Sequence, residues 1–369
     1  MNRKNLTILL LVVMIGSIYT EKLQVTPMEE FNISSGFGLD IKKETDSKVQ
    51  YVAPFSVYQF KEQKGESSKN ITGKAESLTE TRQDRQLKSN KPLLIGVQRI
   101  VIIGEEAADY GILSFVNLNF ANPQINDRSN IVVCKGKSED LLAHTVEGYP
   151  SSSDYIEGMI KSANNYNFFP KEYTFLNIYS ILESEGRNLV LPYIELKDKD
   201  IVLSGMAVFK KDKMAYTLPM EESKIMNMLR LRSGKGVLSL QQSPEEYINY
   251  YTKVKRKVRC NKKQDIYQFN IDLIFQGDIV LNTLYKDIDI DKKKEKEIEE
   301  LLSQEIEKMC NGFLNKMKEV YKMDLLELGM YSVAKYGRES GVNWNKEISD
   351  ANIKVNVKVK IDKIGIGHY

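Results

Sequence analysis

Two histidines, His144 and His368, are all the imidazole this chain carries, so a histidine-based acid, base or charge relay has only two places to be. His144 falls in an apparent helix with no serine in a Gly-x-Ser-x-Gly elbow to partner it, and His368 is the penultimate residue. Neither is expected to catalyse. Carboxylates are plentiful, and Asp287, Asp289 and Asp291 are spaced like the opening of a calcium loop. The sixth position then holds Lys292 where a glycine is needed for the turn, and the twelfth holds Ile298 where a bidentate glutamate is needed. A turn feeding a helix accounts for the three aspartates.

Cys134, Cys260 and Cys310 are far apart, with no Cys-x-x-Cys pair and no nearby histidine, which excludes the usual zinc spacings and a disulfide framework. Cys134 follows Ile131, Val132 and Val133 in a strand-like run, and Cys310 sits on the apolar flank of a helix, so both read as small core residues. Gly104, in the turn after Val97–Ile103, could mark a phosphate loop. The residues that follow are Glu105 and Glu106, which suit a helix N-terminus and repel phosphate. Neither a metalloprotease His-Glu-x-x-His nor a nucleotide fingerprint occurs. Trp344, the one tryptophan, precedes a terminal strand and is expected to pack. Asn32-Ile-Ser34 and Asn70-Ile-Thr72 match a glycosylation sequon, which carries little weight if the host is bacterial. No catalytic, cofactor-binding, metal-ligating or lipidated residue is assigned.

With 369 residues, 42% hydrophobic and 28% charged, the chain can bury a sizeable core, and its length suits two or three domains. A net charge of +3 creates no global field toward nucleic acid. The lysine runs Lys253–Lys257 and Lys292–Lys294 are expected on solvated helix faces. Arg3 and Lys4 precede an apolar run from Leu6 to Ile18, the layout of an export signal. As a helix that run spans roughly 20 Å, short of the ~30 Å hydrocarbon core. Residues 1–21 are therefore expected to be a leader, with the remainder extracytoplasmic. Small residues suited to cleavage are hard to find between Gly16 and Lys22, so an uncleaved anchor stays open.

The rest of the chain must supply the frame. Strands joined by a turn are expected after Ser35-Gly-Phe-Gly-Leu-Asp40, and Ser77 with Glu80 forms a capping box for a helix near Leu78–Leu87. Ser138 and Ser151 read as helix starts, as does Ser243-Pro-Glu-Glu246, the clearest in the chain. Ile201–Phe209 and Met214–Leu218 flank Lys210–Lys213 as a hairpin. Ile298, Leu302, Ile306, Met309, Phe313, Met317 and Val320 recur at steps of three and four, predicting a long amphipathic helix over 292–322. Ile353, Val355, Val357, Val359 and Ile361 alternate with polar residues, which requires a strand with one buried face for that helix to cover. The mixture lacks a regular βαβ rhythm, so the expected class is α+β, multi-domain, with mixed and antiparallel sheets covered by helices. Domains are expected over 22–200, 201–262 and 263–369, after the leader.

Six segments in this order make the chain resemble the Ger(x)C family, the C subunits of bacterial spore germinant receptors. They are Ser35–Asp40, Val101–Glu106, Leu191–Glu195, Ser204–Lys213, Glu222 with Leu229 and Gly234-Lys-Gly236, and Ile353–Gly365. The resemblance implies a non-enzymatic, membrane-associated protein on the outer, extracytoplasmic face of the spore inner membrane, needed for nutrient-induced germination. Its partners would be a polytopic A subunit and a transporter-like B subunit, with no cofactor and no nucleic acid, and the small-molecule germinant would be bound by another subunit. Family members begin the mature chain with a lipid-modified cysteine followed by Trp. Here Lys22 and Leu23 stand near that place and no cysteine precedes Cys134, so retention falls to the leader or to partner subunits. The alternatives are a free extracytoplasmic small-molecule-binding protein and a secreted hydrolase.

Overall fold

The computed structural model describes residues 27–45, 48–61, 65–284, 292–338 and 341–365, together with 4–5 and 11–12. Nearly all of the leader, the aspartates Asp287, Asp289 and Asp291, and His368 lie outside the described residues. Strands β1 (Asn32–Thr45), β2 (Lys48–Lys61) and β3 (Gly65–Ala75) lead to helix α1 (Leu78–Leu87) and the short β4 (Leu93–Leu94). Next come β5 (Ile100–Gly104), α2 (Glu105–Tyr110), α3 (Leu113–Phe120), β6 (Asn130–Cys134), α4 (Ser138–Ala143), α5 (Ser152–Tyr166) and α6 (Phe175–Leu182). Then follow β7 (Val190–Lys197), β8 (Asp200–Lys210), β9 (Lys213–Pro219) and α7 (Met220–Arg230). The last part holds β10 (Ser233–Ser243), β11 (Glu246–Lys263), β12 (Ile266–Asn282), α8 (Lys292–Lys316), α9 (Leu328–Tyr336), α10 (Trp344–Asp350) and β13 (Asn352–Ile364).

These strands form two sheets. The large one is nine-stranded, in the order β3-β2-β1-β5-β6-β7-β8-β9 with β4 against β1, and the small one is β10-β11-β12-β13. The pairings β1–β5, β5–β6 and β6–β7 are parallel, while hairpins extend both flanks antiparallel. Every residue of β5 and β6 is buried, as a parallel centre covered on both faces demands. The protein is thus α+β, with mixed sheets covered by helices.

The capping box behaves as its residues dictate: Ser77 Oγ accepts from the Glu80 N–H at 3.4 Å and α1 runs over Leu78–Leu87. The strand before it, β3, gives no hydrophobic alternation to read, because its one buried apolar side chain is Ile71 and its sequence is otherwise largely polar. Ser243–Glu246 starts no helix. It turns β10 into β11, and Ser243 Oγ lies 3.4 Å from Glu246 Oε2. Local capping chemistry loses there because Ile248, Tyr250, Thr252 and Val254 bury at a spacing of two, which only a strand achieves. For the same reason Lys253, Lys255 and Lys257 stand on the exposed face of a strand rather than on a helix.

The division expected at residue 200 coincides with a tight turn, Asp198 and Lys199 both having positive φ, between two strands of one sheet. Residues 201–262 have no sheet of their own: β8 and β9 complete the large sheet, while β10 and β11 begin the small one. A short charged stretch serves equally as a linker or as a hairpin turn.

The long helix keeps its predicted place, with Ile298, Leu302, Ile306, Cys310 and Phe313 buried, and closes in a wider π turn over Met317–Tyr321. It packs on β13, where Val355, Val359 and Ile361 are buried and Ile353 and Val357 half-buried. β13 pairs with β12 in parallel and is the edge of the small sheet. Side chains of α8 occupy that edge: Ser303 Oγ accepts from the Val359 N–H at 3.1 Å and Glu299 Oε1 from the Ile361 N–H at 2.8 Å.

Candidate functional site: a buried charge network between the two sheets

α7 ends at Arg230, whose side chain reaches into the seam between the sheets and is almost fully buried. Its guanidinium donates to the carbonyls of Leu325 and Asn188, each at 2.9 Å, and to Glu327 Oε1 at 2.8 Å. Arg187, in the loop before β7, donates to the same Glu327 oxygen through Nε at 2.9 Å and Nη2 at 2.7 Å. Arg256, from β11, donates to the Arg230 carbonyl at 2.7 Å and to the Leu326 carbonyl at 3.0 Å, with its guanidinium 5.5 Å from the Tyr331 ring centre. Three arginines from three elements thus converge on residues 324–327, the segment that enters α9.

That segment is shaped by its own acids. Asp324, fully buried, accepts from the N–H groups of Leu326 at 3.0 Å and Gly329 at 2.7 Å. Burial raises the Asp324 pKa even though these bonds and Arg230 oppose it. Glu327 feels burial in the same direction, but Arg230 and Arg187 outweigh it and its pKa is lowered, so Glu327 is ionised in the folded protein. Burial brings the Arg256 pKa down to about 10, which leaves it charged at neutral pH. Gly186 and Gly329 let the backbones meet beside the network: a Cβ on Gly186, at φ +74°, would stand 2.5 Å from the Gly329 carbonyl carbon.

Further ties span the same seam. Asn188 Nδ2 donates to the Asp324 carbonyl at 2.9 Å and to Asn345 Oδ1 at 2.6 Å. Glu222 on α7 takes the Lys316 ammonium and the Tyr321 hydroxyl, the latter at 2.6 Å, joining α7 to the end of α8 and its π turn. Phe168, at φ +57° and fully buried, donates its N–H to the Lys235 carbonyl at 2.7 Å and lays its ring over Gly236. The network contains no nucleophile held against a base. Its chemistry is positional, fixing the two sheets against each other through charge-assisted bonds in a desolvated seam.

The residues singled out by sequence are placed elsewhere. His144 follows the last residue of α4, half-buried, with its N–H on the Leu141 carbonyl. Cys134, Cys260 and Cys310 are buried free thiols, and burial pushes the Cys310 pKa to about 12. Trp344 packs against Tyr267, ring centres 5.4 Å apart, and donates Nε1–H to Glu185 at 2.8 Å. No group of three His, Cys, Asp or Glu among the described residues is placed to hold a metal. Of the four charges at the centre of the network, Arg187, Arg230, Arg256 and Glu327, sequence reasoning marked none. The available signal was phase: Arg256 continues the inward series Ile248, Tyr250, Thr252 and Val254, so it had to point into the core despite its charge.

Ser35–Asp40 has a specific structural task. Gly36 and Gly38 lie on β1 beneath two helix starts, where a Cβ would stand 2.4 Å from Ser153 Oγ and 2.1 Å from Ser138 Oγ. Asp40 then caps α4, accepting from the Ser138 N–H at 2.7 Å and the Glu139 N–H at 3.0 Å. A Cβ on Gly104 would stand 2.1 Å from Asp40 Oδ1, so the glycine in Val101–Glu106 makes room for that cap. In Leu191–Glu195, Tyr193 donates its hydroxyl to Glu105 at 2.7 Å across the parallel centre. These segments hold helix starts onto the sheet.

Two family models cover the chain: the spore germination protein N-terminal domain over residues 24–196, and the spore germination B3/GerAC-like C-terminal domain over residues 204–365. The spore germination protein GerQC of Bacillus cereus is 23% identical over 286 residues, spanning 76% of this chain and 78% of that protein. The crystal structure of the GerBC protein superposes with a TM-score of 0.54 at 16% identity, covering 88% of this chain and 97% of the other, and so shares its fold. With both halves matched in order, the chain belongs to the Ger(x)C family of spore germination proteins, the C subunits of germinant receptors.

Proposed function

We propose that this protein is the C subunit of a nutrient germinant receptor, held at the outer face of the spore inner membrane and acting through contacts with polytopic A and B subunits rather than by catalysis. The observation that carries this reading is the family match across both halves of the chain. The buried network supports it: a subunit that works by contact must keep its surfaces in fixed register, and Arg187, Arg230, Arg256 and Glu327 lock the two sheets together. No described helix is long and apolar enough to cross a membrane, so the attachment we propose rests on the leader and on partner subunits.

The test is to solubilise the inner membrane of dormant spores, isolate the protein through a C-terminal tag, and identify by mass spectrometry its companions and its first residue. Two polytopic partners are expected. Recovery alone from the soluble fraction would overturn the reading in favour of a free extracytoplasmic binding protein.

A further inference from the structure

A cavity of about 950 Å³ opens between α1, β4 and α3, floored by the face of β1 and β2. Its volume is of the size that takes a small organic ligand. The floor is aromatic: Phe37 and Phe55 stack with ring centres 4.8 Å apart, and Phe115 stands 5.9 Å from Phe37. Leu94, half-buried, also lines it.

One charged side chain stands buried in this lining. Arg85, on α1, is 6% exposed and holds its guanidinium 4.0 Å from the centre of the Phe55 ring. Nη1 makes two long contacts, 3.5 Å to the Ala53 carbonyl and 3.3 Å to Thr81 Oγ1, and Nε is buried with no partner. Among the described residues no carboxylate pairs with it. The lining contains no aspartate or glutamate, and the adjacent Asp84 is taken by the Lys88 ammonium and the Lys74 N–H. Burial lowers the Arg85 pKa only to about 10, so the group keeps its charge at neutral pH. Arg82, the other basic residue of the lining, is exposed.

A buried guanidinium without a counter-ion is costly, and an unpaired Nε–H adds to that cost. We propose that the cavity binds a small amphipathic carboxylate, its carboxyl group on Arg85 and its apolar body against Phe37, Phe55 and Phe115. A planar fork of donors suits a carboxylate bidentately. The absence of any acid from the lining disfavours a zwitterion, whose ammonium group would go unpaired, so the ligand class is a simple aryl or alkyl carboxylate. This inference is independent of the receptor assignment.

The experiment is calorimetric titration of the full-length chain with 4-phenylbutyrate, and with 4-phenylbutanol as an uncharged match of the same body. Saturable one-to-one binding of the acid is expected, at least tenfold tighter than the alcohol. Arg85→Met should weaken the acid roughly tenfold or more while sparing the alcohol, and Leu94→Trp, which narrows the cavity from the β4 side, should weaken both. Equal binding of acid and alcohol, unchanged binding by folded Arg85→Met, or no heat with either probe up to about 10 mM would each overturn the proposal. If Arg85→Met does not fold, Leu94→Trp decides: acid binding as in the wild type overturns the site.

Discussion

The ring of Phe168 stands where a side chain on Gly236 would have to be, 2.3 Å from the position of its Cβ. The two residues belong to different sheets' neighbourhoods, Phe168 following α5 and Gly236 lying in β10, and their backbones are bridged through Asn167. Gly236→Ala should therefore force the ring out of a fully packed seam and destabilise the protein by about 1–3 kcal/mol. Urea unfolding checks it, and Phe168→Leu in the alanine background should restore part of the loss. A midpoint unchanged by Gly236→Ala would show the seam to be loose.

Glu327 gives stability a pH dependence of defined sign. Burial would raise its pKa, but Arg230 and Arg187 overcome burial and the folded value lies below the ordinary one. A depressed carboxyl pKa contributes stability that is fully present above the unfolded value, ~4.3, and is lost as pH falls through the folded value. Glu327→Gln should cost about 3–5 kcal/mol at neutral pH, because it leaves Arg230 buried without its counter-charge. Thermal unfolding from pH 7 down to 3 should show the gap between variant and wild type narrowing in acid.

Asp40 runs the other way. Burial raises its pKa although two backbone N–H groups favour the charged form. Its ionised form is thus strained at neutral pH, and that cost is relieved as pH falls through the raised value toward the ordinary ~3.9. Asp40→Asn must turn an amide N–H₂ toward one of the N–H groups that the carboxylate accepts. A loss of about 1–3 kcal/mol is expected in denaturant unfolding at pH 7, growing toward pH 4 because only the wild type gains that relief.

All three thiols should be silent in the native protein. Burial raises the pKa of Cys134, Cys260 and Cys310, leaving little thiolate to react. A disulfide exchange reagent at pH 8 should label none of them until guanidinium is added, and then all three. Rapid labelling of a native thiol would mean that its part of the core opens.

Covering the β13 edge should matter for solubility as well as stability. Glu299→Ala and Ser303→Ala each remove one acceptor from a strand N–H, at about 1 kcal/mol apiece. Together they free an edge able to pair with another chain. Light scattering on heating should show the double variant associating before the wild type does.

How much of this was legible beforehand divides along physical lines. Short-range rules worked where no tertiary demand opposed them: the Ser77 cap, the three-four spacing of α8 and the alternation of β13 all hold. They failed at Ser243–Glu246, where a sound local cap was outvoted by the burial of Ile248 and Tyr250 several residues on. The charge network stayed hidden because Arg187, Arg230, Arg256 and Glu327 are far apart in sequence, and an arginine bound for the core looks like any other until the strand's phase is known. The cavity beside Arg85 was equally out of reach, since its walls come from α1, β4, α3 and two strands of the sheet.

The boundary between the two family models, near residue 200, falls between two paired strands of the large sheet, β7 and β8. β8 and β9 belong to the second model in sequence yet complete the sheet of the first in space. Inheritance by halves would consequently be poor at that point: a hybrid spliced at residue 200 must zip a foreign hairpin onto β7, where Leu191, Ile194, Ala207 and Val208 are buried together. The cleaner place to exchange parts between family members is Leu231–Arg232, after α7, where the large sheet is already whole. A graft there must still match Arg187 and Arg230 to Glu327, and Glu222 to Lys316 and Tyr321, because these side chains meet across the junction.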